Sequence, residues 1–162
     1  MTKKLNLDEN LIFIDVDREE KEDVIGILAG RLEEHGYVKE TFLNAILSRE
    51  QVYPTGLPLQ KYGVAIPHTD AVHVNEPAMA VAVLTKPIQF QMMGSQETDV
   101  SVDMVFLLAI KEPSEQISML ESLMNMFQNE EVMDSLRHAS SSSEAKIIIE
   151  REMKLSIATE VV

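Results

Sequence analysis

The stretch Val102-Asp-Met-Val-Phe-Leu-Leu-Ala-Ile110 decides how the rest of the chain is read. From Met104 onward it is continuously apolar, with no polar residue at alternate positions. A strand with one face in water alternates apolar and polar residues, whereas a strand covered on both faces does not. The run therefore reads as a central strand with layers on both sides. Pro113 follows shortly after, at a place where it suits the first turn of a helix. Met119, Leu120, Leu123, Met124 and Phe127 then recur at helical spacing.

Working outward toward the N-terminus, Ala78–Leu84 ("AMAVAVL") is small, apolar and reads as a buried strand, and Ile88–Phe90 as a short edge strand, with "MGSQET" as a turn. Leu11–Val16 ("LIFIDV") reads as a first strand after a polar lead. Asp17 is placed to cap the next helix, with Glu20 at the capping-box position, and Val24, Leu28 and Leu32 line one face up to a stop at Gly36. A second helix is predicted from about Lys39 to Arg49 with Phe42, Leu43 and Ile46 inward. Toward the C-terminus, a short helix is predicted over Glu130–His138, a break at Ser140–Ser143 that caps the next helix, and a last helix over Glu144–Glu152; the tail from Leu155 carries no assignment. Strands and helices alternate loosely, which predicts an α/β layered fold with a mixed sheet. Its 162 residues suit one domain, with a core over about 8–152.

Bulk properties exclude several functions. A net charge of −13 argues against a nucleic-acid partner, which requires a basic face, and favours a partner with a basic patch. No cysteine is present, so thiol chemistry, disulfides and thiolate metal sites are all removed. No apolar run approaches a membrane span and the N-terminal residues do not form a signal peptide, so a cytoplasmic protein without direct membrane insertion is expected. Ten methionines in a chain without tryptophan suggest adaptable core packing.

The second informative stretch is Gly63-Val-Ala-Ile-Pro-His-Thr-Asp-Ala-Val-His-Val74. Val64–Ile66 is long enough for a buried strand. Pro67 lacks a backbone donor and holds Ile66 extended, so the chain is expected to leave the sheet there and present His68 at a strand end. Thr69 and Asp70 can bond back to the local backbone and hold the turn. A histidine so placed can be locked as one tautomer with its other nitrogen free to react. The segment before it, "QVYPTGLPLQKYG", has two prolines and two glycines and reads as a functional loop.

The run from Ser48 to His73, "SREQVYPTGLPLQKYGVAIPHTDAVH", resembles the active region of enzyme IIA domains of the bacterial sugar phosphotransferase system (PTS). The likeness is to the mannitol/fructose class, most closely to galactitol-type proteins, and extends over about residues 8 to 150. It implies a mainly parallel sheet between helices and a phosphoryl carrier without cofactor. His68 would accept the phosphoryl group from the phosphocarrier protein HPr and pass it to a cysteine of a IIB component, which feeds a IIC membrane transporter. The arginine of the "RE" element corresponds to Arg49, whose guanidinium can hold two phosphoryl oxygens at once; without the resemblance, a cation in the last turn of a helix is sufficient explanation. Many mannitol-type relatives carry a second histidine where this chain has Gln116, which can donate a hydrogen bond but cannot become charged. His73 could donate to the phosphoryl group or simply cover the turn. Thr55 and Gly56 could offer hydroxyl and backbone donors.

Phosphoryl transfer needs positioning and charge stabilisation, and the absence of a G-x-x-x-x-G-K-[ST] loop fits a donor that is already a phosphohistidine. Neither ATP nor a metal is then required. Three alternatives compete. His68, Asp70 and His73 could ligate a metal, although their spacing is not that of an H-E-x-x-H helix. "MMGSQE" lacks the second glycine of a G-x-S-x-G hydrolase elbow. A phosphorylation-dependent regulatory module, resembling the nitrogen-related branch and not coupled to transport, is the more serious one. His35 and His138 have no supporting motif and read as surface residues.

Overall fold

A computed structural model describes residues 5–161, with side chains as far as Met153. Five strands form one mixed sheet: β1 (Ile12–Val16), β2 (Gly56–Pro58), β3 (Gly63–Ala65), β4 (Ala78–Met92) and β5 (Ser95–Ala109). Five α-helices accompany them: α1 (Lys21–Glu34), α2 (Phe42–Val52), α3 (Pro113–Phe127), α4 (Glu130–Arg137) and α5 (Ser142–Val161). The strand order is β1-β4-β2-β3-β5, with β4 also paired along its length to β5. The β1–β4, β2–β4 and β3–β5 pairings are parallel and β2–β3 and β4–β5 antiparallel. The longest ladder is the antiparallel β4–β5 hairpin, whose turn is made at Gly94 with φ 82°.

The apolar run of β5 is covered on both faces, as its composition requires. Val105, Leu107 and Ala109 enter one core with Ala78, Ala80 and Ala82 of β4 and the inner faces of α1 and α2. Met104, Phe106 and Leu108 enter the other with Met79, Val81 and Val83 and the inner faces of α3, α4 and α5. The period of two along a strand thus divides its side chains between two helix layers. Small alanines on the first face let the helices lie close. Six methionines (Met79, Met104, Met119, Met126, Met133 and Met153) fill the second core, and Phe106 and Phe127 meet there with ring centroids 5.2 Å apart.

Several local expectations are revised. Ala78–Leu84 and Ile88–Phe90 are one strand, because the intervening Thr85-Lys-Pro87 segment only shifts the register between Val83 and Ile88. Asp17 does not cap α1: the helix starts at Lys21 after Glu20, while Asp17 lies near Lys86 and Thr85. The α2 helix starts and ends three residues later than predicted, at Phe42 and Val52. Part of the "functional loop" is strand β2, paired to β3. Predicted caps hold elsewhere: Pro113 opens α3 within a Glu112/Glu115 capping box, and Ser141 Oγ accepts from Glu144 N at 3.1 Å. The tail from Leu155 continues α5 to Val161, and Val162 lies outside the described residues.

Strand β3 is set by one close approach. A Cβ built on Gly63 would lie 1.9 Å from the carbonyl oxygen of Ser101 in β5. Only glycine permits this, and Asp103 Oδ2 accepts the Gly63 N–H at 3.0 Å. Gly63→Ala is therefore expected to destabilise by at least the ~1–3 kcal/mol of an overpacked core, because a backbone atom must move. Gly26→Ala in α1, where nothing lies within 4 Å of the new Cβ, is expected to be neutral or to stabilise by up to ~1 kcal/mol. Urea unfolding of both variants checks the contrast; an unchanged midpoint for Gly63→Ala contradicts it.

Candidate functional site

The site lies where β3 ends. After Ala65 the chain leaves regular pairing, although Leu108 N of β5 still donates to Pro67 O at 2.9 Å. That bond and the fixed ring of Pro67 determine where the next residue starts. His68 is half-buried, and its Nδ1 lies 2.8 Å from Ile66 O. A carbonyl only accepts, so Nδ1 carries the proton and Nε2 keeps its lone pair. Burial is the main cause that lowers the His68 pKa from its ordinary 6.5. The nearby Arg49 charge acts in the same direction, while the Ile66 bond and Asp70 oppose it. The ring is therefore neutral at neutral pH, the form in which a nitrogen can act as a nucleophile.

His68 borders a cavity of about 180 Å³ lined also by Arg49, Thr69, Asp70, Ala71, Ile110, Glu112, Pro113 and Gln116. Arg49 comes from the last turn of α2, and Gln116 from the first turn of α3. The Arg49 guanidinium is 3.6 Å from Asp70 Oδ1 and its carbon lies 5.3 Å from the centre of the Tyr53 ring. Asp70 is well exposed, so this pair is weakly held and its arginine can be given up to another anion. Glu112 is already engaged: its side chain accepts from the backbone at the start of α3. A neutral nucleophilic nitrogen, a guanidinium and an amide thus face one small opening.

Not every predicted residue comes to it. His73 does not line the cavity; its Nδ1 is 2.8 Å from Thr41 Oγ1, and its backbone oxygen accepts from Lys39 N at 2.9 Å. Its ring is thus turned to Thr41 and away from the cavity lining. A metal site built from His68, Asp70 and His73 is disfavoured for the same reason, and among the described residues no three His, Asp or Glu side chains converge as ligands. Thr55 and Gly56 are absent from the cavity lining too. Thr55 is buried behind it, with its hydroxyl 2.9 Å from Glu50 Oε1. Gly56 belongs to β2, where a Cβ would meet Gln91 O at 2.6 Å, so it is required for close strand packing.

Sequence reasoning passed over Glu50. It is 3% exposed, yet it lies beside the partly open Arg49. The signal was present: Phe42, Ile46 and Glu50 recur every four residues, which puts the carboxylate on the buried face of α2. Burial raises its pKa above the usual carboxylate value, partly offset by the hydrogen bonds from Thr55.

Comparison with known proteins fits this geometry. The family model "Phosphoenolpyruvate-dependent sugar phosphotransferase system, EIIA 2" matches residues 5–152. The galactitol-specific EIIA component of the PTS of Escherichia coli K12 is 30% identical over 121 residues, covering 75% of this chain and 78% of that protein. Among solved structures, the IIA chain of the Escherichia coli complex of enzyme IIA and phosphorylated enzyme IIB of the mannitol system superposes with a TM-score of 0.76 at 22% identity, covering 91% of this chain and 99% of that one. The crystal structure of mannitol IIA from Escherichia coli gives 0.74 at 24%, covering 90% and 99%. These two establish likeness of fold, and no described helix is long and apolar enough to cross a membrane. The family match over nearly the whole described chain, together with the 30% identical relative, shows that the chain belongs to the EIIA type-2 family and is a phosphotransferase component of the sugar phosphotransferase system.

Proposed function

We propose that this protein is a phosphoryl carrier in which His68 Nε2 takes the phosphoryl group from phosphorylated HPr and hands it to a cysteine of a galactitol-type IIB component at the cytoplasmic face of a IIC transporter. The observation that carries this reading is the bond from His68 Nδ1 to Ile66 O, which leaves Nε2 as the lone-pair nitrogen beside Arg49. In the first step an N–P bond forms at His68 Nε2 as the donor's N–P bond breaks. In the second, that bond breaks as an S–P bond forms on the acceptor thiolate. No nucleotide or metal enters either step. The transferring group spreads its charge over three equatorial oxygens. Arg49 can donate to two of them in a fork once it leaves Asp70, and Gln116 can donate to the third.

The galactitol assignment draws on the 30% identical relative, and a IIB acceptor on the mannitol complex among the structural neighbours. The net charge of −13 suits a basic donor surface.

Because Nε2 must be unprotonated to attack, the lowered His68 pKa sets the pH dependence. The acceptance rate should stay flat as pH falls toward the ordinary histidine value of 6.5 and decline only below it. The same sign holds for stability: the folded state binds fewer protons at this ring than the unfolded chain, so the ring favours folding above 6.5 and that contribution is lost as pH falls below it. An NMR titration of His68 with its midpoint above 6.5 contradicts this.

Incubation with enzyme I, HPr and phosphoenolpyruvate should place one acid-labile phosphoryl group on His68, and Arg49→Lys should slow transfer by roughly 10²-fold or more, since charge is kept but the fork is lost. Galactitol-type IIB should be labelled on its cysteine far faster than mannitol-, fructose- or glucose-type IIB. Label on His35, His73 or His138 refutes the His68 role. Equal rates across the panel, or transfer to none of them, favour the regulatory reading instead.

A further inference from the structure

We infer that Glu50 and Thr55 are positioning residues that lock the reactive tautomer of His68 from behind; this rests on the carrier reading above. Glu50 is the one carboxylate side chain in the buried interior among the described residues, and a buried charge is costly unless it is fully engaged. Its engagement is local and directed. Glu50 Oε2 accepts the Thr55 backbone N–H at 2.9 Å, and Oε1 accepts the Thr55 hydroxyl at 2.9 Å. With its proton committed to Glu50, Thr55 Oγ1 offers a lone pair, and the Ile66 N–H donates to it at 3.2 Å. Ile66 O in turn receives the Nδ1–H of His68 at 2.8 Å.

The two bonds on Ile66 flank its Cα, so the coupling acts through placement and not through one conjugated peptide. Thr55 fixes the nitrogen side of the residue. Pro67 holds it extended and supplies no competing donor. The carbonyl direction is then determined, and with it the ring plane and tautomer of His68. The polarity of the chain matters as much as its shape. If the group at position 50 donated to Thr55, the hydroxyl would hold two donors and its own proton would lose its acceptor. The oxygen's two lone pairs can still take both donors, but the hydroxyl would turn to find a partner for its proton, and the direction of the Ile66 N–H bond, and with it the carbonyl, would no longer be fixed.

The near-isosteric variants Thr55→Val and Glu50→Gln change donors and acceptors with little change in volume, and Thr55→Ser retains the hydroxyl. The tautomer is read by ¹⁵N chemical shifts of the His68 ring on unphosphorylated protein above its titration, and the rate by phosphoryl acceptance from HPr. Wild-type protein should show a single Nδ1–H tautomer. Thr55→Val and Glu50→Gln should show mixed tautomers and acceptance slowed roughly 10- to 100-fold, and Thr55→Ser should restore both. If Thr55→Val does not fold, Glu50→Gln decides. A single Nδ1–H tautomer with wild-type acceptance in the folded variants, whatever their melting temperature, overturns the inference and leaves Glu50 and Thr55 as stabilising residues only. Because the tautomer measurement needs no phosphoryl donor, a wild-type protein that takes no label would refute the carrier reading without affecting this test.

Discussion

The whole arrangement depends on the apolar part of β5, from Met104 to Ala109, being buried on both faces. A strand in that position cannot choose which neighbours to ignore: its alternate side chains need a helix layer on each side. Ala109, Leu107 and Val105 serve one layer and Leu108, Phe106 and Met104 the other. The hairpin partner β4 repeats the division with Ala80 and Ala82 on one face and Met79 and Val81 on the other. Once these strands are fixed, β3 has one place to pair, against Met104 and Val105. Its glycine start is pressed on Ser101 and its end releases the chain at Pro67. The site is thus a consequence of sheet packing: His68 emerges beside Ile110 and the start of α3 because β5 ends there.

The proposed chemistry uses little besides placement. Phosphoryl transfer between two side chains has nearly balanced reactants and products, so the protein need only present one nitrogen, supply a mobile positive charge and keep competing groups occupied. Two carboxylates border the cavity and would repel an incoming phosphoryl group if idle. Glu112 is held by its helix start, while Asp70 pairs with Arg49 only in the resting protein and is exposed enough for solvent to screen its charge once that cation moves. The Arg49–Asp70 contact at 3.6 Å between partly and well exposed groups is weak enough to exchange. In the proposed carrier cycle the same cation, parked in the resting protein, would then be available for the phosphoryl oxygens.

Much of this was legible in the residues. The unbroken apolar run of β5 implied two covering layers, and both are present. Pro67 implied a strand end that presents a histidine, and His68 sits at one, half-buried rather than exposed because Ile110 and the start of α3 close over it. The resemblance around "RE" and "IPHTD" pointed to Arg49 and His68, which the fold brings to one cavity. Less legible was anything decided by partners distant in sequence. That β4 runs unbroken through Thr85-Lys-Pro87 depends on its partner β5, not on local propensity. Nothing in the local pattern distinguishes a histidine turned to Thr41 from one turned to His68; the bridge between Val38 and Val74, distant in sequence, brings His73 to Thr41. Thr55 was read as a loop residue that could offer its hydroxyl to the site, but the chain enters β2 directly after it and holds it inside, where Glu50 engages it. Glu50 itself is legible only in its period-four spacing with Phe42 and Ile46, which puts it on the buried face of α2.

The central claim is that sheet geometry, through the Ile66 carbonyl, makes Nε2 and not Nδ1 the reacting atom of His68. Long-range ¹H–¹⁵N correlation on uniformly ¹⁵N-labelled, phosphorylated protein tests it most directly, because phosphorus couples to the nitrogen that bears it. The account predicts phosphorus coupling and a shifted resonance at Nε2, with Nδ1 still protonated. Phosphorus coupling at Nδ1 would contradict it, since that nitrogen would first have had to release the Ile66 carbonyl on which the site is built.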